Sequence, residues 1–280
     1  MEWGFVFAFF ISVWGFDFHA LPIFPVLVSG SKEKKGFCPS VLVLVFISSS
    51  SSEMPHAVST GTTIVAVEYA GGVVIGADSR VSTGTYISNR ASDKITPLSD
   101  NAFLLRSGSA ADTQLVSDYV RHMVHQHESQ LQRPIDVPTV ANLVMQIGYN
   151  NKNALSAAAM LVAGYDAATR QGHVYAVPIG GTMVRQKYAI DGSGSIFIYG
   201  YCDSEYKDDM TREEAESFVA EAIALAMSTD GSSGGVVRLV TVNEDGIFRR
   251  LHAGDKSVPR FGEEKDVHKD LTDKANAMQT

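Results

Sequence analysis

Cysteine and tryptophan are nearly missing from this chain of 280 residues, which has Cys38 and Cys202, Trp3 and Trp14 and no others of either kind. Two thiols can build neither a disulfide framework nor a cysteine zinc site within one chain, which fits a reducing compartment. Basic charge is scarce too: 23 Lys and Arg stand against 31 Asp and Glu, for a net charge of -8. Binding to nucleic acid rests on clustered cations that neutralise phosphates, and no such cluster is present, so no nucleic-acid partner is expected. The apolar run Val41 to Ile47 is too short for a bilayer span of about 20 residues. Trp3 to Phe16 has the length of a signal-peptide core, but Glu2 flanks it in place of Lys or Arg and no clean small-residue cleavage site follows.

What is present divides at one point. Nine of the 14 Phe (Phe5, Phe7, Phe9, Phe10, Phe16, Phe18, Phe24, Phe37 and Phe46) and both Trp lie in the first 53 residues, which end in the serine run Ser48 to Ser52. Residues 1–53 are therefore read as an apolar leader of separate character. A leader discarded with a propeptide, or an extension of the reading frame ahead of Met54, ranks above a membrane anchor. Residues 54–61 are read as the propeptide, 62–261 as the folded domain and 262–280 as a polar tail.

From Thr62 onward the pattern is apolar alternation. Thr63, Val65 and Val67 face one way and Ile64 and Ala66 the other, and Ala70-Gly71-Gly72 turns the chain into Val73 to Ala77. A second strand pair is expected around Asp93 to Thr96 and Ala102 to Arg106. Two helices follow, the first with Leu115, Val116, Tyr119, Val120, Met123 and Val124 on its apolar stripe, the second with Val140, Leu143, Val144 and Ile147. Strands return at Ala158 to Tyr165 and His173 to Pro178. Thr211 and Glu214 form a capping box at the start of a helix reaching Met227, and Val236 to Val242 with Gly246 to Leu251 make a closing hairpin. Hairpins with grouped helices predict an α+β fold, two antiparallel sheets sandwiched by helices.

Several segments carry candidate chemistry. Threonine is a weak nucleophile without a base, and no His partner is evident. A threonine at a chain N-terminus supplies its own base, an α-amine with an unperturbed pKa of about 7.7 to 8.0. Cutting the bond between Gly61 and Thr62 would create one; otherwise Thr62-Thr63 simply starts a strand. Asp78 and Lys94, 16 and 32 residues beyond Thr62, fall at strand ends that hairpins can bring back to it, as an alkoxide-stabilising pair or an ordinary ion pair. Gly108, at a strand-to-helix junction, offers an N–H to an anion or only a tight turn. The glycine-serine clusters at 191–195 and 230–235 lack the Lys-Ser/Thr ending of a P-loop, and His122, His125 and His127 share no clean metal-binding face. No cofactor or metal is expected.

In their order, Gly61-Thr62-Thr63, Gly76-Ala77-Asp78-Ser79-Arg80, Asp93-Lys94, Ser107-Gly108-Ser109-Ala110-Ala111-Asp112, Gly192-Ser193-Gly194-Ser195 and Asp230-Gly231-Ser232-Ser233-Gly234-Gly235 closely resemble the proteasome beta-type subunits, members of the N-terminal nucleophile hydrolases. The resemblance runs from Thr62 to about Phe261. It implies a four-layer αββα sandwich and a threonine protease that removes its own propeptide before Thr62. By the same resemblance Thr62 is nucleophile and base, Asp78 and Lys94 its supporting pair, and Gly108 the oxyanion donor. Ser193, Asp230 and Ser233 position the terminal amine, and the backbone of Ser82 and Ala110 binds substrate as an added strand. Arg106 falls in the first specificity pocket, where a guanidinium favours an acidic side chain, a caspase-like preference. Asp191 stands where glycine is expected and adds negative charge beside the proton network.

The partners so implied are other alpha and beta subunits in stacked seven-membered rings and unfolded polypeptides, in cytoplasm and nucleus, with no membrane. The alternatives are a non-catalytic ring subunit, a homo-oligomeric peptidase of the same superfamily and a membrane-tethered binding module.

Overall fold

The computed structural model describes residues 60–254, 258, 259 and 261. The proposed leader, all of the propeptide but Thr60 and Gly61, and the polar tail lie outside the described residues.

Alternating side chains dictate the first elements. β1 (Ile64–Tyr69) and β2 (Gly72–Ala77) form a hairpin in which Ile64 pairs with Ala77 and Tyr69 with Gly72. Ile64 and Ala66 enter one core while Val65 and Val67 enter another, as a period of two requires when both faces are covered. Next come the short hairpin β3 (Val81–Thr83) and β4 (Tyr86–Asn89), then β5 (Ile95–Pro97) and β6 (Ala102–Gly108). Helices α1 (Ala110–Leu131) and α2 (Val137–Asn150) precede β7 (Ala158–Asp166), β8 (Gln171–Val177), β9 (Val184–Gln186) and β10 (Tyr188–Asp191). A 3-10 turn (Ser193–Phe197), α3 (Tyr199–Glu205), α4 (Arg212–Thr229), β11 (Val237–Asn243) and β12 (Gly246–His252) complete the domain.

Two five-stranded sheets result, ordered β10-β1-β2-β11-β12 and β5-β6-β7-β8-β9, with antiparallel neighbours throughout. Three apolar cores hold them together. One, with Ile64, Ile75, Phe103, Leu105, Leu161 and Val240, lies between the sheets. A second packs Val65, Val74 and Leu239 against Phe218, Val219 and Ile223 of α4. The third packs Leu104, Met160 and Val162 against Val116, Val120, Val140 and Val144 of α1 and α2. Helix, sheet, sheet, helix is the αββα order expected. Each fully buried Leu, Ile or Phe contributes about 1.5 to 3 kcal/mol, so the three cores together hold the strand ends in place.

The ends of α4 follow from local chemistry. Thr211 accepts from the Glu214 N–H at 3.3 Å while Glu214 accepts from the Thr211 N–H at 2.8 Å, a reciprocal cap whose Thr contributes about 1 kcal/mol. Further along, the buried Glu216 accepts from Arg212, Arg250 and Thr241, each at 2.8 Å, tying α4 to β11 and β12.

Three features depart from the sequence reading. Leu115 and Tyr119 are 71% and 55% exposed, because the buried stripe of α1 runs through Thr113, Val116, Ser117, Val120 and Val124. The β3-β4 hairpin, whose β4 is exposed throughout, carries no apolar alternation to announce it. Strands β9 and β10 pair with β8 and β1, partners that no local pattern reveals.

Candidate active site

The site forms where β1 begins and where β2 and β6 end. Thr62 is 2% exposed and Thr63 fully buried. The Thr62 N–H donates to Ser193 Oγ at 3.1 Å, and its hydroxyl donates to the Gly61 carbonyl oxygen at 2.8 Å. That same oxygen accepts from Lys94 Nζ at 2.9 Å. Glycine is required at 61 by close approach: a Cβ there would stand 2.0 Å from Ser232 Cβ and 2.5 Å from the Ser232 carbonyl oxygen.

Asp78 emerges from β2 fully buried and holds four neighbours. Its Oδ1 accepts from Lys94 Nζ at 2.7 Å and from the Thr63 N–H at 2.8 Å; Oδ2 accepts from the N–H groups of Gly234 at 3.0 Å and Arg80 at 3.2 Å. These four donors satisfy both oxygens, as a buried polar group requires. Burial pushes the Lys94 ammonium below the ordinary lysine range, against the opposing pull of Asp78. A lysine poised in this way donates strongly to a carbonyl or alkoxide oxygen.

On the other side of Thr62, Ser193 Oγ and Ser233 Oγ each donate to Asp230 Oδ2 at 2.7 Å, and Ser233 Oγ lies 2.7 Å from Thr63 Oγ1. Burial would raise the Asp230 carboxyl, but hydrogen bonds from Ser233, Ser193 and the Ser232 N–H, with the charge of Lys94, hold it below its ordinary value. A relay through the Ser193 hydroxyl thus links Asp230 to the nitrogen of Thr62, and Ser233 joins the same carboxylate to Thr63. Arg80 clamps this loop by donating to the Gly231 carbonyl at 2.8 Å.

Gly108 takes φ +89°, and a Cβ there would meet the Ala157 carbonyl oxygen at 1.7 Å, so the junction into α1 admits only glycine. Thr60 bridges to it antiparallel, its N–H donating to the Gly108 carbonyl at 3.3 Å. Thr60 therefore lies against the end of β6 in one antiparallel bridge, the hydrogen-bonding mode of an added strand. Beside it is a cavity of about 20 Å³ lined by Thr60, Thr62, Lys94, Arg106, Gly108 and Ala110 among others, room for little more than one water. Arg106 donates to the Asp93 carbonyl at 3.0 Å, while its Nε is buried with no partner among the described residues. Of the two expected substrate-strand positions, Ala110 lines this cavity; Ser82 lies on β3, adjacent to Val81, which lines it.

Sequence reasoning missed several participants: Ser232 over Gly61, the second role of Thr63 as a ligand of both Asp78 and Ser233, and Arg80 as a clamp. All three stand in motifs of the sequence, Thr63 in Gly61-Thr62-Thr63, Arg80 in Gly76-Ala77-Asp78-Ser79-Arg80 and Ser232 in Asp230-Gly231-Ser232-Ser233-Gly234-Gly235, but nothing in those motifs gives their contacts. Asp191 turns its Oδ1 toward Ser107 Oγ at 3.0 Å and the Gly192 N–H at 2.5 Å.

Two antiparallel sheets packed between helices, with a threonine opening an inner strand, define the N-terminal nucleophile hydrolase sandwich. The family model described as "Proteasome subunit" matches residues 58–242. Over 225 residues the chain is 51% identical to "Proteasome subunit beta type-6" of Arabidopsis thaliana, covering 80% of this chain and 94% of that protein. It is 47% identical to "Proteasome subunit beta type-9" of Homo sapiens, covering 76% and 96%, and 44% identical to "Proteasome subunit beta type-1" of Saccharomyces cerevisiae, covering 71% and 91%. The chain belongs to the proteasome beta-subunit family. Membership implies assembly with other proteasome subunits.

Proposed function

We propose that this chain is a catalytic beta subunit of the 20S core, a threonine endopeptidase of the caspase-like, beta type-6 kind that cleaves after acidic residues. The observation that carries the proposal is the double contact on one oxygen: the Gly61 carbonyl accepts from both Thr62 Oγ1 and Lys94 Nζ, at 2.8 and 2.9 Å. In maturation Thr62 Oγ1 attacks that carbonyl carbon, its proton passes to the departing Thr62 nitrogen, and the resulting ester is hydrolysed by water. A free Thr62 amine and a Gly61 carboxylate are left.

In the mature subunit the amine takes the Thr62 hydroxyl proton as Oγ1 attacks a substrate carbonyl. The Gly108 N–H and Lys94 offset the developing charge, and Asp78 keeps Lys94 in place. The amine then protonates the leaving nitrogen, and water releases the acyl group. Ser193, Asp230 and Ser233 orient the amine through the relay described above. The half-buried Arg106 receives the acidic side chain, and the backbones of Ser82 and Ala110 take the substrate strand. Stacked seven-membered rings of alpha and beta subunits would restrict entry to unfolded polypeptides, in cytoplasm and nucleus.

Mass spectrometry of the assembled particle tests the proposal. The expected mature chain begins at Thr62, and Thr62→Ala retains Gly61 and loses hydrolysis of acidic-P1 fluorogenic peptides. An intact Gly61 to Thr62 bond in the unsubstituted particle would make the chain a non-catalytic ring subunit instead.

A further inference from the structure

Asp191 is the last residue of β10, in register with Ile64 of β1, two residues before the Ser193 that holds the Thr62 nitrogen. Ser107 is the next-to-last residue of β6, in the other sheet, one residue before Gly108. The core between the sheets is apolar, and polar contacts join the sheets at its margins: Glu68 of β1 accepts from the Val174 N–H of β8 at 3.2 Å, and at the mouth of the site one carboxylate oxygen joins them. Asp191 Oδ1 accepts from Ser107 Oγ at 3.0 Å and from the Gly192 N–H at 2.5 Å. One acceptor oxygen is thus engaged by the two segments flanking the site.

We propose that Asp191 is a positioning residue that, through Ser107, sets the spacing between the Gly108 peptide and Ser193. This rests on the proposed function, in which those two groups meet the reacting carbonyl oxygen and the Thr62 amine. A shift of either by a fraction of an ångström misplaces the amine relative to the oxyanion donor; Ser107 also lines the cavity beside Arg106, so the effect falls chiefly on turnover, with a smaller part on binding.

The local chemistry also says how to test it without unfolding the chain. Ser107 Oγ has a second acceptor, the Ala159 carbonyl at 3.1 Å, so it keeps a partner when the carboxylate is removed. Asp191→Gly deletes the tie, whereas Asp191→Asn removes the charge and retains an acceptor oxygen. In assembled particles Asp191→Gly is expected to lower kcat roughly tenfold, the scale of one such hydrogen bond, with a smaller change in KM, while Asp191→Asn stays within about twofold of the parent. Amide hydrogen exchange of the peptides covering 105–110 and 190–195 reads the tie independently of turnover: faster in Asp191→Gly, unchanged in Asp191→Asn. Equal exchange in the parent and Asp191→Gly overturns the tie, and equal losses of kcat in the two variants assign the effect to charge and overturn positioning. Should the unsubstituted particle retain Gly61, the catalytic reading fails, and the exchange experiment still decides whether Asp191 joins the two segments.

Discussion

Lys94 donates to the carbonyl oxygen of Gly61 at 2.9 Å, joining the end of the propeptide to the buried cation expected to support catalysis. Its other partner, Asp78, is fully buried, so the cation is held where its field reaches the carbonyl through little water.

Removing either member of that pair should cost much more than an exposed bridge would. Lys94→Ala leaves the Asp78 carboxylate buried without its counter-charge, with an expected loss of about 3 to 5 kcal/mol, softened by the N–H donors of Thr63, Gly234 and Arg80. Asp78→Asn keeps the shape but strands the ammonium. Both variants should show peptidase rates reduced roughly 100-fold or more. Denaturant unfolding of the variants together with rates of the reconstituted particle checks this; parent-like rates in either would remove the pair from the chemistry.

Gly61→Ala should block maturation. The added methyl meets Ser232, including its backbone carbonyl, and moves the scissile carbonyl away from Thr62 Oγ1 and Lys94. The expected product is a particle carrying unprocessed precursor, visible as a mass that retains the propeptide; complete processing would show that the Ser232 loop yields.

Arg106→Ala should change what is cleaved rather than whether cleavage occurs. Loss of a charge-assisted contact predicts a fall in kcat/KM for acidic-P1 peptides of about tenfold or more, with apolar-P1 peptides unaffected or improved. A specificity profile identical to the parent's would take Arg106 out of the pocket.

A pH effect is expected at the opposite end of the strands. His173 Nε2 lies 3.3 Å from Asp166 Oδ2, and its buried Nδ1 has no partner among the described residues. Burial, helped by the charge of Arg185, lowers the His173 pKa against the opposing charges of Asp166 and Glu68. The unfolded chain therefore takes up this proton first, and stability falls as pH drops below about 6.5, until the folded form also protonates. Burial raises the Asp166 pKa, outweighing the Val137 N–H bond and the His173 charge. Its effect has the opposite sign, a gain in stability as pH falls through its folded value toward about 3.9. Thermal unfolding of the precursor at pH 7.5 and 5.5, about one unit either side of the histidine value, should show a drop that His173→Gln abolishes. An equal drop in that variant would place the sensitivity elsewhere.

Much of the fold was legible because periodicity is a local property. The β1-β2 hairpin, the Thr211 capping box and the closing β11-β12 hairpin each follow from a few neighbouring residues. The stripe of α1 was misread where apolarity stood in for burial: Leu115 points outward while Thr113 and Ser117 are inside, their hydroxyls satisfied by the helix's own carbonyls. The ordered motifs also named the residues that converge at the site, yet the approach of Ser232 to Gly61, the added role of Thr63 and the direction of the Asp191 carboxylate stayed hidden, since each is a contact between segments far apart in sequence.

By itself the sequence determined the alternation of buried and exposed positions, the caps and turns, and the presence of a Gly-Thr bond where a strand begins. Tertiary structure alone decided that Lys94 reaches back 33 residues to Gly61 and that Thr63 meets Ser233 across 170. It also decided that Asp191 faces Ser107 and not the Thr62 nitrogen. The physical reason is that these contacts join strand ends in space: close packing of two sheets on one apolar core sets their spacing, and local propensity cannot specify how far apart two distant segments will lie.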